Sequence, residues 1–384
     1  GALTALLAAV ARRCFPAATP GRLFIAVVLA GQLSWLPVIL RRPAFWELPI
    51  VAAVALFWFS LYSLWRFHSG QGRSLWAAVA GVTLAAALGA RPTYLFPAAL
   101  VGLGFTWPWT RGRPLLAFAR SLVPVAIPLL AGGLGLLAYN FLRFGQPFEF
   151  GNRYQLWGLD ERTVSHFSPA NVGFNMWVYF FSLPEFSPYF PFLRTVTTPQ
   201  LPAGYIATEE MPGLLFTMPA LLLGLVAWSQ VWPRKTGSAR HPLRLLVLTA
   251  TACSLTTAAL LFCFAGACSR YIAELAGGWT FIVGIGWLAL GGATVGAPTR
   301  PFRLMVYAAA AWSVIGVWLA SFEFRNVFRA TEPAVYRAVA TILNYPSDLY
   351  ARFTNREFGP VLWEVRLEGG FSGIKSALEE VSSS

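Results

Sequence analysis

The chain has 384 residues, of which 57% are hydrophobic and 12% charged, and its mean hydropathy is +0.58. Those values exclude a soluble globular domain and point to an integral membrane protein. The formal net charge of +13 sits mainly in short loops between apolar runs, not in a basic stripe with interleaved aromatics. It therefore suits anionic lipid headgroups and argues against a nucleic-acid partner.

A spanning helix needs about 20 mostly apolar residues. In chain order, a partial run covers residues 1–11, followed by fuller runs at 22–40, 48–65, 75–90, 92–107, 118–140, 212–232, 245–266, 274–296 and 301–321. The expected fold is an all-α polytopic membrane protein with about 9–10 transmembrane helices, a long outer loop over 141–211 and a small extramembrane tail over 322–384. The runs 75–90 and 92–107 meet at Arg91-Pro92 and read as two helices, with a single Pro-kinked helix as the alternative. The chain starts at Gly1 inside an apolar run without a charged leader, so the reading expects an earlier segment upstream.

Basic residues set the orientation, because short cytoplasmic loops are enriched in Lys and Arg. Arg12, Arg13 and Arg22 lie in or beside the first loop, Arg66 and Arg73 in the third, and Arg111, Arg113 and Arg120 in or beside the fifth. Arg234, Lys235, Arg240 and Arg244 fall in the seventh, and Arg300 and Arg303 flank the ninth. No Asp or Glu accompanies them, so the odd loops belong in the cytoplasm. The same alternation favours two helices around Arg91, since one span fewer would invert every later loop.

The even loops carry the groups that binding or catalysis would need. Arg41, Arg42 and Glu47 lie in "LRRPAFWELP", Arg91 in "LGARPTYLF", and Arg270, Tyr271 and Glu274 in "CSRYIAEL". Ionisable groups at the membrane edge are costly and tend to face protein, water or a ligand. Arg and Tyr at helix ends also serve as interfacial anchors. The loop 141–211 is too long for a mere connection. Its segment "NVGFNMWVYFFSLPEFSPYFPFL" reads as a short aromatic surface helix followed by extended chain, and the loop acts as a structural lid or as a substrate gate. In "YNFLRFGQPFEFG", Asn140 and Arg143 end a span and Gly145 and Pro147 turn the chain, after which Glu149 and Arg153 either brace the turn or reach a site. Cys14, Cys253, Cys263 and Cys268 show no metal spacing, and His68, His166 and His241 are scattered, so no protein-built metal site is expected.

The succession "GVTLAAALGARPTYLF", "YNFLRFGQPFEFG", "EEMPGLLFTMPALLLG" and "SRYIAELAGG" resembles the bacterial membrane glycosyltransferases of the GT-C superfamily, relatives of protein O-mannosyltransferases and of aminoarabinose transferases. The resemblance covers residues 1–321, as a set rather than motif by motif. It implies an enzyme that takes a sugar from a polyprenyl-phosphate carrier at the outer face of the inner (plasma) membrane and passes it to a lipid, glycan or protein. It also implies acidic catalytic residues in a first outer loop; none is visible here, so they are expected upstream of Gly1.

A phosphate leaving group needs cations, and Arg presents a planar fork of donors that matches its oxygens. Arg270 is the first choice for the donor phosphate, with Tyr271 and Arg91 beside it. Glu47 and Glu274, together with Glu149 and Arg153 if they reach the site, would contact the sugar or the acceptor. A divalent cation is a possible cofactor. An Arg270–Glu274 pair at i,i+4 is the structural alternative to ligand contact. The competing function is a transporter or flippase of an anionic lipid-linked substrate, and a third class is a non-catalytic membrane subunit. Transporters favour midplane charges and internal repeats, and neither is evident here. In the tail, residues 333–343 suggest an amphipathic helix and "GPVLWEVRLEG" alternates like a strand.

Overall fold

A computed structural model describes residues 1–70, 73–106, 115–151, 154, 165–194, 200–231, 241–290, 299–323 and 327–354. Helix dominates. The elements run α1 (Ala2–Cys14), α2 (Pro20–Gln32), α3 (Leu36–Ile39), α4 (Leu48–His68), α5 (Arg73–Ala90), α6 (Leu95–Gly104) and α7 (Leu115–Phe144). After α8 (Val172–Met176) come two-residue strands β1 (Glu185–Phe186), β2 (Leu193–Arg194) and β3 (Ala207–Thr208), then α9 (Leu214–Thr217), α10 (Leu223–Val231) and α11 (His241–Cys263). The chain continues through β4 (Gly266–Ala267), α12 (Ile272–Ala289), α13 (Arg300–Glu323), α14 (Val327–Thr331) and α15 (Pro333–Thr354). Five helices among the described residues are long and apolar enough to cross a membrane, and four shorter apolar ones accompany them. The protein is membrane-embedded and all-α in its framework.

The chain forms two compact units, Gly1–Pro184 with Thr195–Ser321, and Glu185–Arg194 with Phe322–Ser384. In the first, α12 is the centre, buried from Ile272 to Ala289 except at Trp279 and packed on α2, α4, α10 and α11. Small residues permit this close approach. A Cβ on Gly286 would run into the carbonyl of Leu223 in α10, whereas one on Gly89 would meet nothing within 4 Å. Gly286→Ala is therefore expected to lower stability in detergent by about 1–3 kcal/mol through overpacking, while Gly89→Ala leaves the thermal midpoint unchanged or raised; equal midpoints for the two variants would contradict this packing.

Helices α4, α5 and α6 alternate in direction. At one end, Arg13 of α1 lies over Trp65 of α4 at 5.9 Å, Arg66 over Trp76 of α5 at 4.8 Å, and His68 contacts the Gly104 carbonyl of α6 at 3.1 Å. The end of α6 thus returns to the level of the end of α4 and the start of α5. The chain reverses at Arg91-Pro92 and forms two helices, not one kinked helix. The basic residues Arg13 and Arg66 gather at this end, away from Arg91 and Arg270.

Two of the expected spans are broken. The run 22–40 divides at Trp35, a non-glycine residue at φ 63° whose indole donates to Ser269 Oγ at 3.0 Å. The run 212–232 divides at Met218, where Pro219 starts a 3₁₀ turn; the Ala220 N–H left without a helical partner donates instead to Ser313 Oγ of α13 at 2.9 Å.

Within the loop 141–211, residues 166–175 cap the end of α11. The aromatic surface helix is present as α8 with a π-helical continuation, Trp177–Phe181. Asn175 donates to the carbonyls of Leu261, Phe262 and Phe264 at 3.2, 2.8 and 2.7 Å, and Asn171 to that of Cys263 at 3.2 Å, satisfying the terminal acceptors of α11. β3 pairs in parallel with β4. In the second unit β1 and β2 form an antiparallel pair, and α15 runs to Thr354, through Pro346 and well past the expected end at residue 343. The strand-like segment 359–369 lies outside the described residues.

Candidate functional site

The sequence places Arg270 and Tyr271 in a 3₁₀ turn that feeds the first turn of α12, and Arg91 in the reversal between α5 and α6. Folding brings these turns together although 183 residues separate Arg91 from Glu274. Tyr271 meets two cations, with the Arg91 guanidinium 5.4 Å and that of Arg270 5.2 Å from its ring, both in cation–π range. Trp46 contributes a further face to Arg270 at 5.9 Å.

Each guanidinium is oriented by a carboxylate. Arg91 Nε donates to Glu274 Oε1 at 2.6 Å, and Thr93 Oγ1 donates to Glu274 Oε2 at 2.8 Å. Burial by itself would lower the Arg91 pKa, but Glu274 and Tyr271 outweigh it and hold the group above its ordinary value. Arg270 Nη1 pairs with Glu209 Oε1 at 3.2 Å, and Glu209 Oε2 accepts from the Ser269 N–H at 2.8 Å. Glu209 is itself fixed by its backbone N–H, which donates to the Ala267 carbonyl at 2.8 Å where β3 meets β4. A guanidinium carries five N–H donors, so one carboxylate contact leaves each arginine with further donors for an anion.

The pairing differs from the i,i+4 alternative. Arg270 meets Glu209 and not Glu274, because residue 270 lies in the turn ahead of α12, where helical spacing does not place positions 270 and 274 on one face. Both oxygens of Glu274 are engaged, Oε1 by Arg91 and Oε2 by Thr93, so Glu274 positions Arg91. Glu209 was missed by the sequence reading; its signal was the acidic pair in "TEEMP", close before an apolar run.

Glu47 precedes α4 and shares a helix face with Val54, two turns on, which borders Gly277 of α12. It is buried, and its Oε2 has no hydrogen-bond partner among the described residues. A buried carboxylate oxygen in that state costs free energy until a donor such as a ligand hydroxyl or amine satisfies it. Arg41 donates from Nε to Ser321 Oγ at 3.3 Å. Glu149 Oε1 accepts from the Gly151 N–H at 2.7 Å, which braces the turn at Gly151, where φ is 90°. Arg143 stays on its own helix, 4.9 Å from the Phe144 ring. Arg153 lies outside the described residues. Among the described residues no group of three or more His, Cys, Asp or Glu is placed to hold a metal ion.

The fold defines a helical membrane protein with a paired-arginine cluster at one end of its bundle. No family model, curated protein or solved structure matches the chain.

Proposed function

We propose that the Arg91–Tyr271–Arg270 cluster receives the phosphate of a polyprenyl-phosphate-linked sugar, and that the protein is a GT-C-type glycosyltransferase passing that sugar to a lipid, glycan or protein acceptor at the extracytoplasmic face of the inner membrane. The observation that carries this reading is the pair of guanidinium groups from separate turns against one tyrosine, each oriented by a carboxylate, at the end of an apolar helix bundle. Preorientation matters because charge on the leaving phosphate grows as the glycosidic bond breaks, and donors already in place stabilise it without reorganising. The prenyl chain would follow exposed apolar helix surface, of which α7 offers the most, since its Leu122–Phe144 stretch is almost wholly unburied within the protein. Glu47 would take a hydroxyl or amine of the sugar or acceptor.

In this reading the chain crosses about ten times, with α2–α3 and α9–α10 as broken spans, and the end of the long loop reaches the donor site through Glu209. The basic residues Arg13 and Arg66 at the opposite end support a cytoplasmic side there.

The phosphate assignment is tested by comparing polyprenyl phosphate with the uncharged polyprenol of equal length in binding to the purified protein in lipid nanodiscs. The phosphate should bind at least about tenfold more tightly, a difference of about 1.4 kcal/mol. Equal binding would reduce the arginines to interfacial anchors.

A further inference from the structure

We propose that α15 is an interfacial helix whose apolar face lies in the membrane surface, so that the second unit docks onto lipid. This rests on the protein's being membrane-embedded and not on the glycosyltransferase reading. The amphipathicity of α15 faces the wrong way for a soluble unit. Val335, Ile342 and Phe353 fall on one side of the helix, at spacings that return to the same face, and Ile342 is 72% and Phe353 86% exposed. Leu343 and Tyr345 flank this stripe and are also exposed.

The other side of α15 does the packing within the unit. Asn344 Oδ1 accepts from the Phe190 N–H at 2.6 Å, Ser347 Oγ donates to the Pro188 carbonyl, and the Tyr336 ring packs on Phe190 at 5.4 Å. The unit thus spends its polar and aromatic contacts on the segment between β1 and β2 and leaves a stripe of large apolar side chains outward. A stripe of that size is an interaction surface, not ordinary scatter.

Two observations choose lipid as the occupant. Phe322, in the last turn of the apolar helix α13, packs on Phe190 at 5.2 Å and on Phe328 at 5.5 Å, and Phe190 in turn touches Tyr336 of α15. Rings therefore tie the start of α15 to the end of a helix that is long and apolar enough to span. The nine residues between Glu323 and Pro333 include α14, so the connection reaches no further than about 25 Å. The face also mixes aliphatic side chains with Tyr345 and Phe353, and Arg337 on the helix's other side suits the headgroups. Such a helix buries its apolar face about 5–10 Å into the boundary of headgroups and acyl chains.

The test uses the whole chain reconstituted in vesicles of phosphatidylethanolamine and phosphatidylglycerol, with a genetically encoded environment-sensitive fluorophore replacing Ile342 or Phe353, and Thr341 or Asp348 as controls on the polar side. Positions 342 and 353 should show blue-shifted emission and severalfold stronger quenching by spin-labelled lipid than by an aqueous quencher, and positions 341 and 348 the reverse. Quenching of 342 and 353 mainly from water would overturn the proposal. Protection of both from lipid and water alike would overturn it as well, and would assign the face to a second copy or to residues 355–384.

Discussion

Glu274→Ala is expected to destabilise the helix bundle by about 3–5 kcal/mol, because it leaves the Arg91 guanidinium facing a cavity where its counter-charge stood. Glu274 is wholly buried and Arg91 largely so, at 0% and 22% side-chain exposure, and the two meet at 2.6 Å. Thr93 would lose its acceptor in the same step. Replacing both partners at once, Arg91→Met with Glu274→Leu, should recover much of the loss, since an apolar pair of similar volume avoids the uncompensated charge. Denaturant titration in detergent reads both. A loss under about 1 kcal/mol for Glu274→Ala would mean that the pair is solvated and does not hold Arg91 in place.

The second large effect is on binding. Arg270→Ala should weaken polyprenyl phosphate binding at least about tenfold, or about 1.4 kcal/mol, while binding of the uncharged polyprenol is unchanged. Arg270→Lys should recover only part, because a lysine supplies the charge without the planar fork. Loss of both ligands together would point to a collapsed turn before α12 instead of a lost phosphate contact, since Glu209 also holds the Ser269 N–H there. Undiminished phosphate binding in the alanine variant would remove Arg270 from the site.

The framework was legible because lipid solvent demands long apolar runs, and those stand out against 12% charged residues. The breaks were less so. Trp35 adopts a left-handed backbone through a tertiary contact with Ser269, and Met218–Pro219 is tolerated because Ser313 replaces the missing helical partner; neither partner is near in sequence. The site divides in the same way. Arg91, Arg270, Tyr271 and Glu274 were visible as ionisable groups at helix ends, but which carboxylate meets which arginine depends on how distant turns converge. A local spacing rule paired Arg270 with Glu274, whereas the fold gives Glu274 to Arg91 and supplies Glu209 from a loop. For Glu149 the sequence left a brace and a site contact both open; its hydrogen bond from the Gly151 N–H is a local one, two residues away. The tail helix was expected over 333–343; the structure carries α15 through Asn344 and Pro346 to Thr354, with Asn344 accepting from the Phe190 N–H.

Sugar transfer itself is tested most directly in membranes containing the natural protein, supplied with polyprenyl phosphate that bears an isotopically labelled sugar. The expected result is that label leaves the carrier for a lipid, glycan or protein fraction as polyprenyl phosphate is released, and that Arg270→Ala slows this at least about tenfold. Label that stays on the carrier, in whichever leaflet it is found, would contradict transfer and favour transport of the intact lipid-linked substrate.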